Sequence, residues 1–141
     1  MKIDSRKLTL LILLSASLAF LSAGCGMRKP ELKVGGLYSV EDGEGGFRIV
    51  KVLVLDDSAA HIAIYANKFP TRPTTVDPST LTFEGVEDEN EEFDEVGMMH
   101  LPLARDVFEQ DRPVFISQTP VTEEELVGYN MWKEAGADVL R

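Results

Sequence analysis

The segment FRIVKVLVLDDSAAHIAIYANKF, residues 47–69, has the most regular strand pattern in the chain. It contains two runs, 47–57 and 59–69, that are rich in valine and isoleucine, and such β-branched residues favour strands. The segment LYSVED, residues 37–42, is a third predicted strand. The glycines of GEGG, residues 43–46, allow a tight turn between this strand and the run 47–57. The pattern therefore predicts an antiparallel meander of three strands.

The middle strand of this meander is apolar on both faces. Successive side chains of a strand point to opposite sides, so alternate residues share a face. One face carries Val50, Val52 and Val54, and the other carries Phe47, Ile49, Leu53 and Leu55. Such a strand is either central in a sheet that is covered on both sides or part of a small closed barrel.

The chain beyond the meander changes character. Prolines at 70, 73 and 78 interrupt the strand pattern, because proline cannot donate to a sheet ladder. We expect a short further strand within 76–83, a final strand within 112–118, and a helical turn within 97–111 that begins at Pro102, since proline suits a first helical position.

The C-terminal segment carries the signals of a helix. Thr122 and Glu125 have the spacing of a capping box, in which each side chain bonds the backbone N–H of the other residue. Tyr129 and Trp132 lie three residues apart and share a helix face, and Gly136 is suited to end the helix. Together with the strands, this helix predicts one α+β domain over residues 37–141.

The N-terminus has the features of a secretory signal peptide. Three basic residues precede the uncharged run 8–21, and small residues follow it. The run is shorter than the ~20 residues that a spanning helix needs. The following segment, Leu21-Ser22-Ala23-Gly24-Cys25, resembles the lipobox of bacterial lipoproteins, although Ser22 stands where leucine is most usual.

This resemblance implies a lipid anchor on Cys25. In that family the cysteine thiol receives a diacylglyceryl group and the signal peptide, here residues 1–24, is removed. Residues 25–36 would then form a lipidated tether, and the membrane would be a partner through the lipid. The resemblance implies a place in the bacterial cell envelope, and Gly26 favours the outer membrane if the host is Gram-negative.

The composition is strongly acidic. The chain has 14 Lys+Arg and 24 Asp+Glu, and removal of the three bases and one acid in residues 1–24 leaves 11 against 23, a formal net charge of −12. This balance argues against nucleic acid as a partner, because the phosphate backbone is itself negative. It favours cationic partners or divalent cations.

Three polar side chains are candidate contact residues. His61 and Tyr65 stand four residues apart in the predicted third strand, and with His100 they form a candidate polar cluster. No sequence motif supplies a nucleophile, a base and an orienting group together, so we predict no enzyme, no catalytic residues and no cofactor.

The segment 84–95 is a second candidate region. It holds eight acids in twelve residues, so many like charges that an exposed loop is expected. Its oxygens suit calcium, but the residue order is not that of an EF-hand, and we predict no specific metal site. Its candidate partner or ligand contacts are Glu87, Asp88, Glu89, Glu91 and Glu92.

Two weaker resemblances concern the globular part. The stretch 52–69 followed by 76–81 is similar to the strand-turn-strand and closing segment of SH3-like barrels. The spread of 36–53, 100–103 and 120–132 resembles a family of small uncharacterised bacterial proteins, and implies no function. We therefore expect a non-catalytic module that binds an envelope protein or is an accessory subunit. A lipoprotein that binds a small ligand or a divalent cation is the alternative.

Overall fold

The computed structural model describes residues 29–85 and 96–141. The predictions for the signal peptide, for Cys25 and for the acidic residues between 87 and 92 lie outside the described residues.

Five strands form one antiparallel sheet. They are β1 (Gly36–Glu41), β2 (Phe47–Leu55), β3 (Ala59–Phe69), β4 (Met98–Ala104) and β5 (Val114–Gln118). Their order across the sheet is β4-β3-β2-β1-β5, so β1 to β4 form a meander and β5 returns to pair with β1. Two short α-helices lie in the described part of the chain: α1 (Arg105–Gln110) and α2 (Val127–Ala135).

The predicted α+β class, the meander and the C-terminal helix are confirmed. Within residues 29–85 and 96–141 no ladder joins β4 to β5, so this part of the sheet has two edges and is not closed into a barrel.

Apolar side chains cover both faces of the sheet. The Phe108 face, named after an α1 side chain, contains Leu32, Tyr38, Val40, Val50, Val52, Ala60, Ile62 and Phe108. The Tyr65 face contains Leu37, Ile49 and Tyr65, with Phe69, Val76, Leu81, Phe83 and Ile116 packed against them. Because β2 supplies residues to both faces, it is the central covered strand that its sequence predicts.

The packed domain begins before β1. Leu32 is buried on the Phe108 face. The Tyr38 hydroxyl donates to the Glu31 carbonyl at 3.1 Å and accepts the Lys33 N–H at 2.8 Å. The last residues of the predicted tether therefore lie against the sheet.

Pro102 does not begin a helix. It lies inside β4, and the helix expected after it starts at Arg105. The prediction of the helix start was wrong because β4 is an edge strand, where the missing N–H of proline costs no ladder bond. The carbonyl of Pro102 accepts a hydrogen bond from the Leu140 N–H at 2.9 Å.

The segment 76–83 is not a strand. Pro78 opens a single 3-10 turn, Pro78–Thr80, and the Asp77 carboxylate accepts the Ser79 N–H at 2.9 Å. The prediction failed because an aspartate followed by proline favours a turn over an extended chain. The segment still lies alongside β3, since the Ala66 N–H donates to the Thr82 carbonyl at 2.8 Å.

The capping box predicted before α2 is present. The Thr122 N–H donates to a Glu125 carboxylate oxygen at 2.8 Å, and the Glu125 N–H donates to the Thr122 hydroxyl at 3.3 Å. The regular helix begins one turn later, at Val127, and ends at Gly136, whose φ of 61° is left-handed. Glycine adopts that conformation without steric cost.

A buried ion pair fastens this capping turn to the sheet. Lys51 in β2 is 4 % exposed. Its ammonium group lies 2.7 and 2.9 Å from the two Glu125 carboxylate oxygens and donates to the Pro120 carbonyl at 2.8 Å. Removal of one partner would leave a buried charge without compensation.

We expect Glu125→Ala to lower the free energy of unfolding by about 3 kcal/mol, because it leaves the buried Lys51 ammonium without its carboxylate partner. Glu124→Ala, at the exposed neighbouring position, should cost less than about 0.5 kcal/mol. Thr122→Ala, which removes the cap but keeps the ion pair, should cost about 1 kcal/mol. Urea unfolding measures all three. Equal losses for Glu125→Ala and Thr122→Ala would show that the ion pair contributes nothing beyond the cap.

Candidate functional site

The candidate site is built around His61, which is completely buried in β3. Irregularities in both neighbouring strands bracket it. In β2, Val52 pairs with Ile62 and Val54 pairs with His61, so one extra residue is inserted there. Bulges of this kind increase the local twist and redirect side chains, and they are common beside functional sites.

The second bulge lies in β4 and contains His100. Leu101 pairs with Ile62 and Met98 pairs with Ile64, so Met99 and His100 stand opposite a single β3 residue. The extra residue aims His100 at His61. The Nδ1 atom of His61 lies 3.1 Å from the Nε2 atom of His100.

The two imidazole rings meet edge to edge. Their planes differ by 6°, and their centroids are 5.3 Å apart, while the bonded nitrogens are 3.1 Å apart. Each nitrogen lies at the edge of its ring, so these distances place the rings side by side in nearly one plane. This arrangement is a nearly linear N–H···N hydrogen bond.

Asp56, in the turn between β2 and β3, lies behind His61. Its second carboxylate oxygen, Oδ2, is 3.4 Å from His61 Nε2, and its Oδ1 accepts the Ser58 and Ala59 N–H groups at 2.9 and 2.6 Å. Burial alone would raise the pKa of Asp56, but the Ser58, Ala59 and His61 hydrogen bonds outweigh it and hold the pKa below its usual 3.8. Asp56 is therefore ionised at neutral pH.

The ionised carboxylate determines how the protons are placed along the row. It accepts the His61 Nε2–H, which leaves His61 Nδ1 as the acceptor for the His100 Nε2–H. With both imidazoles neutral, the row Asp56–His61–His100 has one consistent arrangement of donors and acceptors, in which the Nδ1 atom of His100 carries no proton.

Helix α2 covers the histidines with aromatic rings. Tyr129 and Trp132 contact His61 edge-on, with centroid distances of 4.8 and 4.6 Å. At Gly128 an added Cβ would lie 2.6 Å from the His100 Cβ, so only glycine permits this approach of the helix. The sequence predicted that Tyr129 and Trp132 share a face, and the structure places that face on the histidine pair.

Tyr65 is not part of this row. Its ring stacks on Phe83 with a centroid distance of 4.8 Å, and burial, together with the Glu125 charge, raises its pKa to about 12. The structure thus brings together two of the three predicted polar residues. The predicted contacts at Glu87, Asp88, Glu89, Glu91 and Glu92 lie outside the described residues.

Sequence reasoning missed Asp56 and Gly128. Asp56 has a recognisable local signal, since an aspartate two residues before a serine favours a turn closed by its side chain. Its proximity to His61 depends on the geometry of the hairpin. Gly128 carries no local signal, because its role depends only on where α2 lies.

Two clefts lie away from the histidines, beside α1. One of 420 Å³ is lined partly by Ser58, Arg105 and Arg141, and one of 680 Å³ partly by Lys29, Arg112 and Val114. Over residues 29–85 and 96–141, no group of three or more His, Cys, Asp or Glu side chains is placed to hold a metal ion.

Comparison of the chain with protein-family models, with curated proteins and with solved structures finds no match. Among the helices that the structure describes, none is long and apolar enough to cross a membrane.

We expect the free energy of unfolding to fall as the pH drops below 6.5. Burial and the His61 ring hold the pKa of His100 below its usual 6.5. The unfolded chain then binds a proton at a pH where the folded protein does not, and the loss continues down to the folded pKa. Asp56 titrates below this window. Urea unfolding at about pH 7.5 and about pH 5 measures the slope.

The matched variant is His100→Gln, which lacks this titration. It should be less stable at about pH 7.5 and should show a smaller change on acidification. An unchanged slope in the variant would assign the pH dependence to other groups.

Proposed function

We propose that this protein is a lipoprotein of the bacterial cell envelope, anchored through Cys25, whose domain is a non-catalytic accessory module that binds another envelope protein. The observation that carries the binding role is an exposed apolar surface where α2 meets β4. The anchor is inferred from the lipobox resemblance.

This surface, called here the methionine surface, consists of Met99, Val127 and Met131. Met99 precedes His100 and Val127 precedes Gly128, so both flank the close contact between β4 and α2. Met131 lies one helical turn beyond Val127, on the same side of α2. The three side chains are 60, 53 and 66 % exposed, although burial of an apolar side chain is energetically favourable.

Methionine is suited to contacts with a partner, because its flexible thioether adapts to different shapes and is frequent at binding surfaces. The mature chain is strongly acidic, and the acidic stretch 84–95 directly precedes β4 in the sequence. A partner segment that combines apolar and basic side chains would therefore match both the surface and the charge.

The position of the domain relative to the anchor supports an envelope role. Cys25 precedes Lys29 by four residues, which span at most about 14 Å when extended. Leu32 is already buried in the domain. A lipid on Cys25 would hold the domain close to the membrane surface, within reach of other membrane proteins.

We expect in-cell crosslinking, affinity purification and mass spectrometry to recover a stoichiometric envelope partner with the native protein. Met131→Lys should recover it several-fold less, because the added charge opposes both burial and a basic partner. Val34→Lys is the matched control, since Val34 is 46 % exposed and lies outside the methionine surface. Cys25→Ser should lose its lipid, partition into the aqueous phase of a detergent extraction, and recover less of the partner.

Equal recovery by Met131→Lys and Val34→Lys would exclude the methionine surface as the binding site. A Cys25→Ser protein that still partitions with detergent would contradict the lipid anchor, whatever the crosslinking shows.

The second candidate function is binding of a small ligand or a divalent cation, and the histidine row favours it. A histidine that ligates a metal commonly donates its other ring N–H to a carboxylate, as His61 does to Asp56. Imidazole nitrogens are suitable ligands for zinc, copper and nickel. Because zinc–nitrogen bonds are about 2.0 Å long, a cation between these nitrogens would displace the shared proton and would move the two rings apart from their present 3.1 Å.

This candidate predicts a rise in melting temperature on addition of zinc, copper or nickel ions, because a cation that binds the folded state stabilises it. His100→Gln should abolish the rise, and Tyr65→Phe, outside the row, should keep it. A rise that is equal in both variants would place the cation elsewhere.

A further inference from the structure

The two edges of the sheet are protected very differently. At β4, Pro102 removes one backbone donor, and the C-terminus covers the end of the strand: Leu103 bridges to Leu140, and the Ala104 N–H donates to the Leu140 carbonyl at 2.8 Å. Proline and a covering segment are the usual means by which proteins prevent an edge strand from pairing with another chain.

The other edge, β5, has neither an internal proline nor a covering segment among the described residues, and its one irregularity is a bulge at Ile116 in its pairing with β1. Its sequence, VFISQ, contains no charged residue and no proline, in a chain of which 27 % is charged. In the described part of the chain it pairs with β1 alone. Val114 and Phe115 are 46 and 45 % exposed. An uncharged edge of this kind is a template for an added strand.

We propose that the added strand is β5 of a second copy of this chain, so that the protein is a two-fold symmetric dimer with one continuous sheet of ten strands. Antiparallel pairing about Ile116 would place Val114 opposite Gln118 of the partner subunit. The same short strand of each chain then supplies hydrogen-bond partners for the unpaired backbone N–H and C=O groups of the other, which is the geometry of an isologous interface.

The distribution of charge favours this edge for self-association. The described residues on either side of the acidic stretch 84–95 lie at the opposite edge. The Ala66 N–H of β3 donates to the Thr82 carbonyl, and the Gly97 N–H donates to the Phe83 carbonyl at 2.8 Å just before β4. At about 4.8 Å per strand, the two β4 strands of the dimer are roughly 43 Å apart. This exceeds the Debye length of about 8 Å several times, so charges beside the two β4 strands repel each other only weakly.

The position of the tether favours the same arrangement. The two-fold axis of an edge-to-edge dimer is perpendicular to the sheet, so both copies present the same face to the same side. Residues 29–34 approach the domain on the Phe108 face, where Leu32 is buried. Both anchors would therefore enter one membrane. This step rests on the proposed lipid anchor at Cys25.

An interface made of one short strand is small, and in solution it would be weak. Anchoring in a membrane confines both copies to a thin layer and raises their effective concentration. The dimer should therefore be sought in the membrane.

The test uses full-length protein in native membranes and a short thiol crosslinker. Two copies with different tags are co-expressed, one with Val114→Cys and one with Gln118→Cys. Both positions are exposed, so the substitutions should leave the fold intact. The comparison samples carry Val114→Cys in both copies, Met99→Cys in both copies, or no added cysteine.

We expect the Val114→Cys and Gln118→Cys pair to give a several-fold higher dimer yield than either Val114→Cys or Met99→Cys with itself, because only opposed residues come within about 5 Å. Equal yields in all samples, or no dimer in any, would overturn the proposal. A product of β5 with a different protein would also overturn it, by showing that another chain adds the strand.

The sample without added cysteine separates this proposal from the lipid anchor. A crosslink there would show that Cys25 keeps its thiol and that the anchor is wrong. The β5 comparison is then repeated in the Cys25→Ser background, where its result still decides on the dimer.

Discussion

The buried ion pair between Lys51 and Glu125 is the interaction on which the arrangement of the domain depends. The Glu125 carboxylate accepts hydrogen bonds from the Lys51 ammonium and from the Thr122 N–H. It therefore joins the central strand of the sheet to the turn that precedes α2. Charges in a protein interior are stable only when they are paired and hydrogen-bonded. The pair therefore specifies where α2 begins.

The position of α2 in turn creates both features that suggest a function. On its inner side, Tyr129 and Trp132 close over His61, and Gly128 allows the helix to approach His100. Beside this contact, Val127 and Met131 remain exposed. A polar row enclosed by aromatic rings and an apolar surface open to solvent thus both border one short helix.

Local chemistry was enough to predict much of the fold. The β-branched runs identified β1, β2 and β3, the two apolar faces of β2 identified it as central, and Gly136 ended α2 where expected. Two predictions failed at prolines. Pro102 was read as a helix start and Pro78 as part of a strand, because the effect of a proline depends on whether its missing N–H faces a partner strand. That is a property of the sheet and not of the segment.

The strand and helix types, the acidic character and the likeness to a lipobox could be read from the sequence, because they depend on neighbouring residues or on composition. The contact of His61 with His100 and not with Tyr65 is visible only in the folded chain. Bulges in β2 and β4 insert residues that no local pattern reveals, and they rotate the side chains beyond them. It also decided which edge of the sheet stays open, since Leu140 covers β4 from the far end of the chain.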